Sequence, residues 1–228
     1  IFSNYIHTCC NVFGLSESDR VLPHTGLNRC QQPLFNAAFL GITNPPQSPA
    51  PENITIGYVK KALDAIAPRM EQLKTAGLLS RGYIYAFDES KEDYADALRL
   101  LFGEVKRRWP EVSTLSVLNW PPTPDLTQYL DIWVTLFPNL DEPDFQSART
   151  VFQNAGKQVW GYHCVAPSLP QYLNTFLDVP SAKSRLLPLV GALHNLTGWL
   201  FWYTNWGNRH AASATDSATG EVVALSEL

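Results

Sequence analysis

The chain has 228 residues, 45% of them hydrophobic and 12% aromatic, enough apolar material for the core of one large domain. A formal net charge of −4 and a pI near 5.7 leave no basic footprint for nucleic acid, and no apolar run reaches the length of a membrane-spanning helix. Seven Trp and nine Tyr stand against a single Met, and such rings, flat with one polar edge, suit sugar stacking as well as core packing.

Residues 1–56 are irregular and rich in turn formers, with Asn44-Pro45-Pro46-Gln47-Ser48-Pro49-Ala50-Pro51 a loop and a strand expected over 35–42. From Gly57 the pattern becomes regular. Val59, Leu63, Ile66, Met70 and Leu73 recur at helical spacing over 58–76, in a helix closed by Gly77 and expected to kink at Pro68. An apolar strand follows at 83–87, then a helix over 91–109 with Tyr94, Leu98, Leu101 and Val105 on one face, ended by Pro110. Its last turn carries Lys106-Arg107-Arg108, where cations favour the helix dipole. Strands are predicted at 114–118 and 131–135, a helix at 143–155 closed by Gly156, and a strand at 158–162. A final helix at 181–194 precedes a strand at 198–203.

Alternating short strands and helices imply parallel βαβ units. A (β/α)8 barrel needs about 250 residues, more than the strands from residue 83 onward supply. The expected fold is therefore α/β, the C-terminal two-thirds of a TIM-type (β/α)8 barrel. Residues 1–56 form an irregular N-terminal segment with an early barrel strand, and residues 57–228 form the C-terminal part of the catalytic barrel. A closed sheet lacking strands exposes edges. The rest is expected from the first 56 residues, from a preceding segment or from another chain. No Gly-rich phosphate loop follows any strand, which argues against an open doubly wound sheet.

The chemistry concentrates where the strand 83–87 ends in two adjacent acids, Asp88 and Glu89. Strict alternation places Ile84, Ala86 and Asp88 on one face and Tyr83, Tyr85 and Phe87 on the other. Past Phe87 the alternation relaxes, so both carboxylates can reach the space above the strand's carboxyl end, the rim where parallel α/β folds place chemistry. The structural alternative is Asp88 capping the helix that starts near Lys91. Other strands also end in polar and aromatic residues: Asn119 and Trp120, then His163 and Cys164, then Thr204, Asn205 and Trp206. Aromatic platforms and amides are what a sugar site needs. Trp160, Trp199 and Trp202 equally suit layers between strands and helices.

No G-x-S-x-G elbow occurs and no Cys stands beside a base, so acyl-transfer nucleophiles lack support. Ordinary glycosidases hold two carboxyls about 5–9.5 Å apart across the scissile bond, whereas neighbouring residues have Cα atoms about 3.8 Å apart. Consecutive acids suit substrate-assisted hydrolysis better. There the 2-acetamido oxygen of the sugar attacks the anomeric carbon, one carboxyl acts as acid and base, and its neighbour holds the amide. A conventional pair would need a second acid such as Asp131 or Asp141, and Asp131 opens its strand at the wrong end.

The stretch Tyr83-Ile-Tyr-Ala-Phe-Asp-Glu89, the strand Asp131-Ile132-Trp133, the run Val159-Trp-Gly-Tyr-His-Cys164 with Pro167 behind it, and Gly198-Trp-Leu-Phe-Trp-Tyr-Thr-Asn-Trp206 together resemble the catalytic domain of glycoside hydrolase family 123, the β-N-acetylgalactosaminidases. The resemblance covers roughly residues 57–207. It implies that Asp88 orients the acetamido group, that Glu89 is the general acid/base, and that Tyr162 and Trp202 wall the pocket. Two departures stand out: the family usually has Pro after the acid pair where this chain has Ser90, and it carries early barrel strands and a β-sandwich before this region.

The expected function is removal of β-linked N-acetylgalactosamine, or a related 2-acetamido sugar, from a glycan substrate, with no cofactor. The alternative is a non-catalytic carbohydrate-binding or structural glycoprotein on a degenerate barrel. Asn119, Trp120, Tyr162, His163, Trp202, Asn205 and Trp206 are the expected sugar contacts. No metal is expected, since neither C-x-x-C nor zinc-like His/Cys spacing occurs. A disulfide from Cys30 to Cys9 or Cys10, and the sequons Asn53-Ile54-Thr55 and Asn195-Leu196-Thr197, lean towards a secreted or luminal glycoprotein. The first sequon lies in a Pro-rich loop open to a glycan; the second lies near a predicted buried strand and is not expected to carry one. The start, Ile1-Phe2-Ser3-Asn4, reads as a mature product or a fragment.

Overall fold

The computed structural model describes residues 33–35, 50–77, 79–164, 167, 172–175, 179–201, 214–215 and 222–223. Cys9, Cys10, Cys30, Trp202, Asn205 and Trp206 lie outside these residues, as does most of the segment 1–56.

A six-stranded sheet runs in the order β1-β2-β3-β4-β5-β6, namely Pro33–Phe35, Tyr83–Ser90, Ser113–Leu118, Ile132–Leu136, Gln158–His163 and Gly198–Phe201. The pairings β1–β2, β2–β3, β3–β4 and β4–β5 are all parallel. The strand expected over 35–42 is described at Pro33–Phe35, and 36–42 lie outside the described residues. A separate unit contributes the short antiparallel pair Ala214–Thr215 and Val222–Val223.

Helix α1, Ile56–Thr75, begins where the Thr55 hydroxyl accepts the Tyr58 amide at 3.3 Å, and it continues through Pro68. Gly77 then turns the chain with φ +69, a conformation glycine adopts without a Cβ penalty. All five of its periodic residues, Val59, Leu63, Ile66, Met70 and Leu73, are buried. Helix α2, Ala95–Arg108, is entered through a 3₁₀ turn at Glu92–Tyr94 and buries Leu98, Leu101 and Val105. Helix α3 spans Pro143–Asn154. The single helix expected over 181–194 is two pieces, α4 at Ser181–Ser184 and α5 at Leu187–Leu193. Pro188 explains the break: without an N–H it fits the first turn of α5 but not the middle of a longer helix. Asn195, expected near a buried strand, is exposed in the turn before β6, at φ +53.

The sheet has two distinct buried faces. Ile84, Ala86, Leu118, Trp133 and Val159 belong to the core shared with the helices. Tyr83, Tyr85, Leu115, Val117, Ile132, Val134 and Tyr162 are equally buried but lie outside that core, on the opposite face. On that second face the rings of Tyr83 and Trp160 meet edge-on at 6.2 Å. Their strands are three places apart, which on a flat sheet is about 14 Å at about 4.8 Å per strand. The sheet therefore curls, and this second face is the concave one.

Charged residues brace the amino ends of the strands. Asp131 accepts Lys106 at 2.6 Å, Lys157 at 2.8 Å and the Thr114 amide at 3.1 Å. Burial works to raise its carboxyl, but the two lysines outweigh it and hold the group below the ordinary range. Arg107 and Arg108 both bind the buried Glu104, and Arg108 also reaches Asp64 at 2.6 Å. The basic triplet is thus neutralised within the fold.

Gly161 in β5 lets the Phe137 ring lie against the strand: a Cβ there would meet ring carbons at 2.5 Å. Gly161→Ala should cost about 1–3 kcal/mol through overpacking, read as a lower midpoint in urea denaturation with an unchanged slope.

Candidate active site

The site begins with a departure from regular strand geometry. Tyr85 pairs with Leu115, Asp88 with Val117 and Ser90 with Leu118, so β2 twice spends one residue more than its partner, once on each side of Asp88. Phe87 (φ +59) and Glu89 (φ +49) absorb the extra length in the left-handed region, which costs a non-glycine residue of order 1–3 kcal/mol. Such double bulges re-aim side chains. Phe87 swings to the helix side, edge-on to Phe102 at 6.0 Å and near Tyr94 at 6.2 Å. Asp88 consequently turns to the concave face, where the Tyr85 hydroxyl donates to its Oδ1. The alternation expected from sequence, with Asp88 beside Ile84 and Ala86 and Phe87 beside Tyr85, is reversed at these two positions.

Backbone groups released by the bulges are satisfied from β3 and the loop after it. The Ser116 hydroxyl donates to the Phe87 carbonyl at 2.9 Å, and the Trp120 indole N–H donates to the Ser90 carbonyl at 2.9 Å. Among the described residues neither Asp88 nor Glu89 forms an ion pair, and neither caps a helix; the 3₁₀ turn after β2 is preceded by Lys91 with no side-chain cap.

The electrostatics follow from burial. Burial pushes the Asp88 carboxyl up to about 6; the Tyr85 hydrogen bond opposes this and the neighbouring Glu89 charge adds to it. Burial first, then the Asp88 charge, raises the Tyr85 phenol well above its ordinary value, so it remains a donor. Tyr162, 6% exposed at the end of β5, is raised by burial, by Glu89, by a hydrogen bond with Cys164 and by Asp88. Tyr85, Asp88 and Tyr162 thus interact electrostatically with one another and with Glu89, joining β2 to β5. No group of three His, Cys, Asp or Glu among the described residues is arranged to hold a metal ion.

The other residues singled out from sequence are placed differently. Asn119 is half-buried, and its Oδ1 accepts the Leu136 amide at 3.2 Å and Asn139 Nδ2 at 3.4 Å, which ties the loop after β3 to the end of β4. Trp120 is buried in the helix-side core. His163 follows Tyr162 and so faces the other way. It is fully buried, accepts the Trp199 indole N–H on Nδ1 at 2.8 Å and meets Thr175 Oγ1 with Nε2 at 2.8 Å. Since Nδ1 accepts, Nε2 carries the proton, and burial lowers the ring to about 4. Both ring nitrogens of His163 are thus engaged within the fold. Asp141 accepts from Tyr172 and lies 3.3 Å from His194 Nε2, and Asp131 is held by its two lysines; neither joins the acid pair.

The glycoside hydrolase 123 catalytic-domain family matches residues 57–222. The chain belongs to this family. Among solved structures, a family 123 glycoside hydrolase from Clostridium perfringens, studied for glycolipid glycan hydrolysis, superposes with a TM-score of 0.53 at 17% identity. The match covers 68% of this chain and 26% of that one, so the present chain spans about a quarter of that structure. No curated protein matches.

Within the family 123 domain, the residues that sequence reasoning missed are Tyr85 and Ser116. Alternation puts Tyr85 on the face away from Asp88, and nothing in composition announces a bulge between them. At Ser90 the backbone carbonyl accepts Trp120, while the side-chain hydroxyl is buried without a hydrogen-bond partner among the described residues.

Two stability measurements follow. Ser90→Ala removes an unsatisfied buried hydroxyl and should stabilise by about 1 kcal/mol in urea denaturation. For Asp88 the folded state holds its proton more tightly than the unfolded chain, so stability falls as pH rises from the ordinary carboxylate range through about 6. Asp88→Asn should raise Tm at pH 7, with the advantage vanishing in acid below the unfolded carboxylate range.

Proposed function

We propose that this chain is the catalytic part of a retaining glycoside hydrolase that removes a terminal β-linked N-acetylgalactosamine, or a related 2-acetamido sugar, by substrate-assisted hydrolysis. The observation that carries the reading is the acid pair: consecutive carboxylates, delivered by a doubly bulged strand, both coupled to Tyr162 across the concave face. Family membership supports the reaction class.

In this scheme the acetamido carbonyl oxygen attacks the anomeric carbon while the glycosidic bond breaks and its electron pair leaves with the aglycone oxygen. Glu89 gives that oxygen a proton. Asp88, ionised, accepts the acetamido N–H and offsets the positive charge that develops on the oxazolinium ring. Glu89 then takes a proton from water, whose oxygen attacks the anomeric carbon and reopens the ring. Two inversions give net retention. Tyr162 stands beside both acids as a pocket wall, and the sequence alone adds Trp202, Asn205 and Trp206 as sugar contacts. Asn119, Trp120 and His163 serve the scaffold.

The curled parallel sheet is read as the C-terminal part of a (β/α)8 barrel, comprising residues 57–228. Its remaining strands come from the first 56 residues, where Pro33–Phe35 already pairs with β2, or from further polypeptide. Exposed sequon asparagines at 53 and 195 support a secreted or luminal glycoprotein.

Glu89→Gln should lower turnover of a chromogenic 2-acetamido-galactoside by about 10²–10⁴-fold, the usual worth of a general acid/base. An unchanged rate would dispose of the proposal. Because Asp88 must be ionised, kcat/KM in the parent protein should fall as pH drops through about 6, and Asp88→Asn should lose that acid limb together with most of its rate.

A further inference from the structure

We propose that Tyr85 is a positioning residue for the reaction, its buried phenol holding Asp88 by Oδ1 so that the other carboxylate oxygen is left to receive the acetamido N–H. The inference rests on the hydrolase reading above and deepens it.

Three observations converge on Tyr85. It is fully buried on the concave face, and its hydroxyl donates to Asp88 Oδ1. That bond exists only because the backbone is strained. Residues 85 and 88 are an odd number apart, so a regular strand would send them to opposite faces; the extra residue between Tyr85 and Asp88, with Phe87 left-handed, brings them together. Finally, the strained segment is held from behind by the Ser116 and Trp120 hydrogen bonds to its carbonyls. A core tyrosine could satisfy its hydroxyl with any backbone carbonyl. Here the fold accepts an unfavourable backbone conformation at Phe87 to direct the phenol at the carboxylate that the mechanism needs ionised and fixed.

The hydrogen bond does two things. It limits rotation of the Asp88 side chain, which keeps the acceptor oxygen in line with the amide, and misplacement of about 1 Å can cost about 10²-fold in rate. It also favours the charged carboxylate, against burial and against the adjacent Glu89. The other titratable groups of the described residues that bear on Asp88 are Glu89 on its own strand and Tyr162 on β5, which is itself bonded to Cys164.

The test compares the parent chain with Tyr85→Phe, which removes one oxygen and leaves the ring to pack. With Glu89 intact, the variant should lose about 10–10²-fold in kcat with KM changed less than threefold, given that a hydrogen bond to a charged group is worth about 1.5–3 kcal/mol. Its acid limb should move to higher pH by about one unit. Asp88, followed directly by carbon-13 NMR of its side-chain carboxyl, should titrate at correspondingly higher pH. With 3-fluorotyrosine at position 85, a more acidic phenol, both should move to lower pH. An unmoved Asp88 titration in both altered proteins overturns the inference, even where Tyr85→Phe lowers Tm or rate. The carboxyl titration needs no turnover, so the two readings fail separately: persistent activity in Glu89→Gln removes the hydrolase mechanism, whereas the NMR result alone decides whether Tyr85 controls Asp88.

Discussion

Two left-handed residues, Phe87 and Glu89, stand on either side of Asp88 and force β2 out of register with β3 at the very point where the strand leaves the sheet. The rest of the site depends on this distortion. A regular strand would bury Phe87 on the concave side and send Asp88 among the helices, where an unpaired carboxylate is unfavourable by several kcal/mol. The double bulge exchanges them. Phe87 joins Phe102 in the helix core, and Asp88 meets a phenol already waiting on the concave face.

Such strain persists only where surrounding structure outweighs it. Here the opposing forces are identifiable. Ser116 and Trp120 take up the two carbonyls that the bulges free, and Trp133 does the same for the end of β3, donating its indole N–H to the Leu118 carbonyl at 3.1 Å. The aromatic richness of the chain thus serves two purposes. Indoles on the helix side fill the core and anchor strand ends by their polar edges, while tyrosines on the concave side supply hydroxyls around the acids. His163 and Tyr162, adjacent in sequence, divide between these roles because strand alternation sends them to opposite faces.

The same arrangement sets the electrostatic balance of the cluster. Burial raises the Asp88 carboxyl to about 6, and the Tyr85 hydrogen bond opposes that rise. The left-handed residues beside Asp88 give up some stability in this part of the fold. The charged braces are elsewhere: Asp131 with Lys106 and Lys157 secures the amino ends of the strands, the end away from Asp88 and Glu89.

Sequence alone determined the order of most strands and helices, the parallel α/β class, the buried faces of α1 and α2, and that two consecutive acids end β2. Each rests on local periodicity, capping or turn chemistry, which are written in neighbouring residues. Tertiary structure alone decided which face Asp88 occupies, that Tyr85 bonds it, and that Trp120 and His163 are buried with hydrogen bonds inside the fold. It also decided that the expected last helix is broken and that Asn195 is exposed. Those outcomes depend on how many residues β2 spends against β3, and register between strands is a property of the pair that neither segment carries by itself.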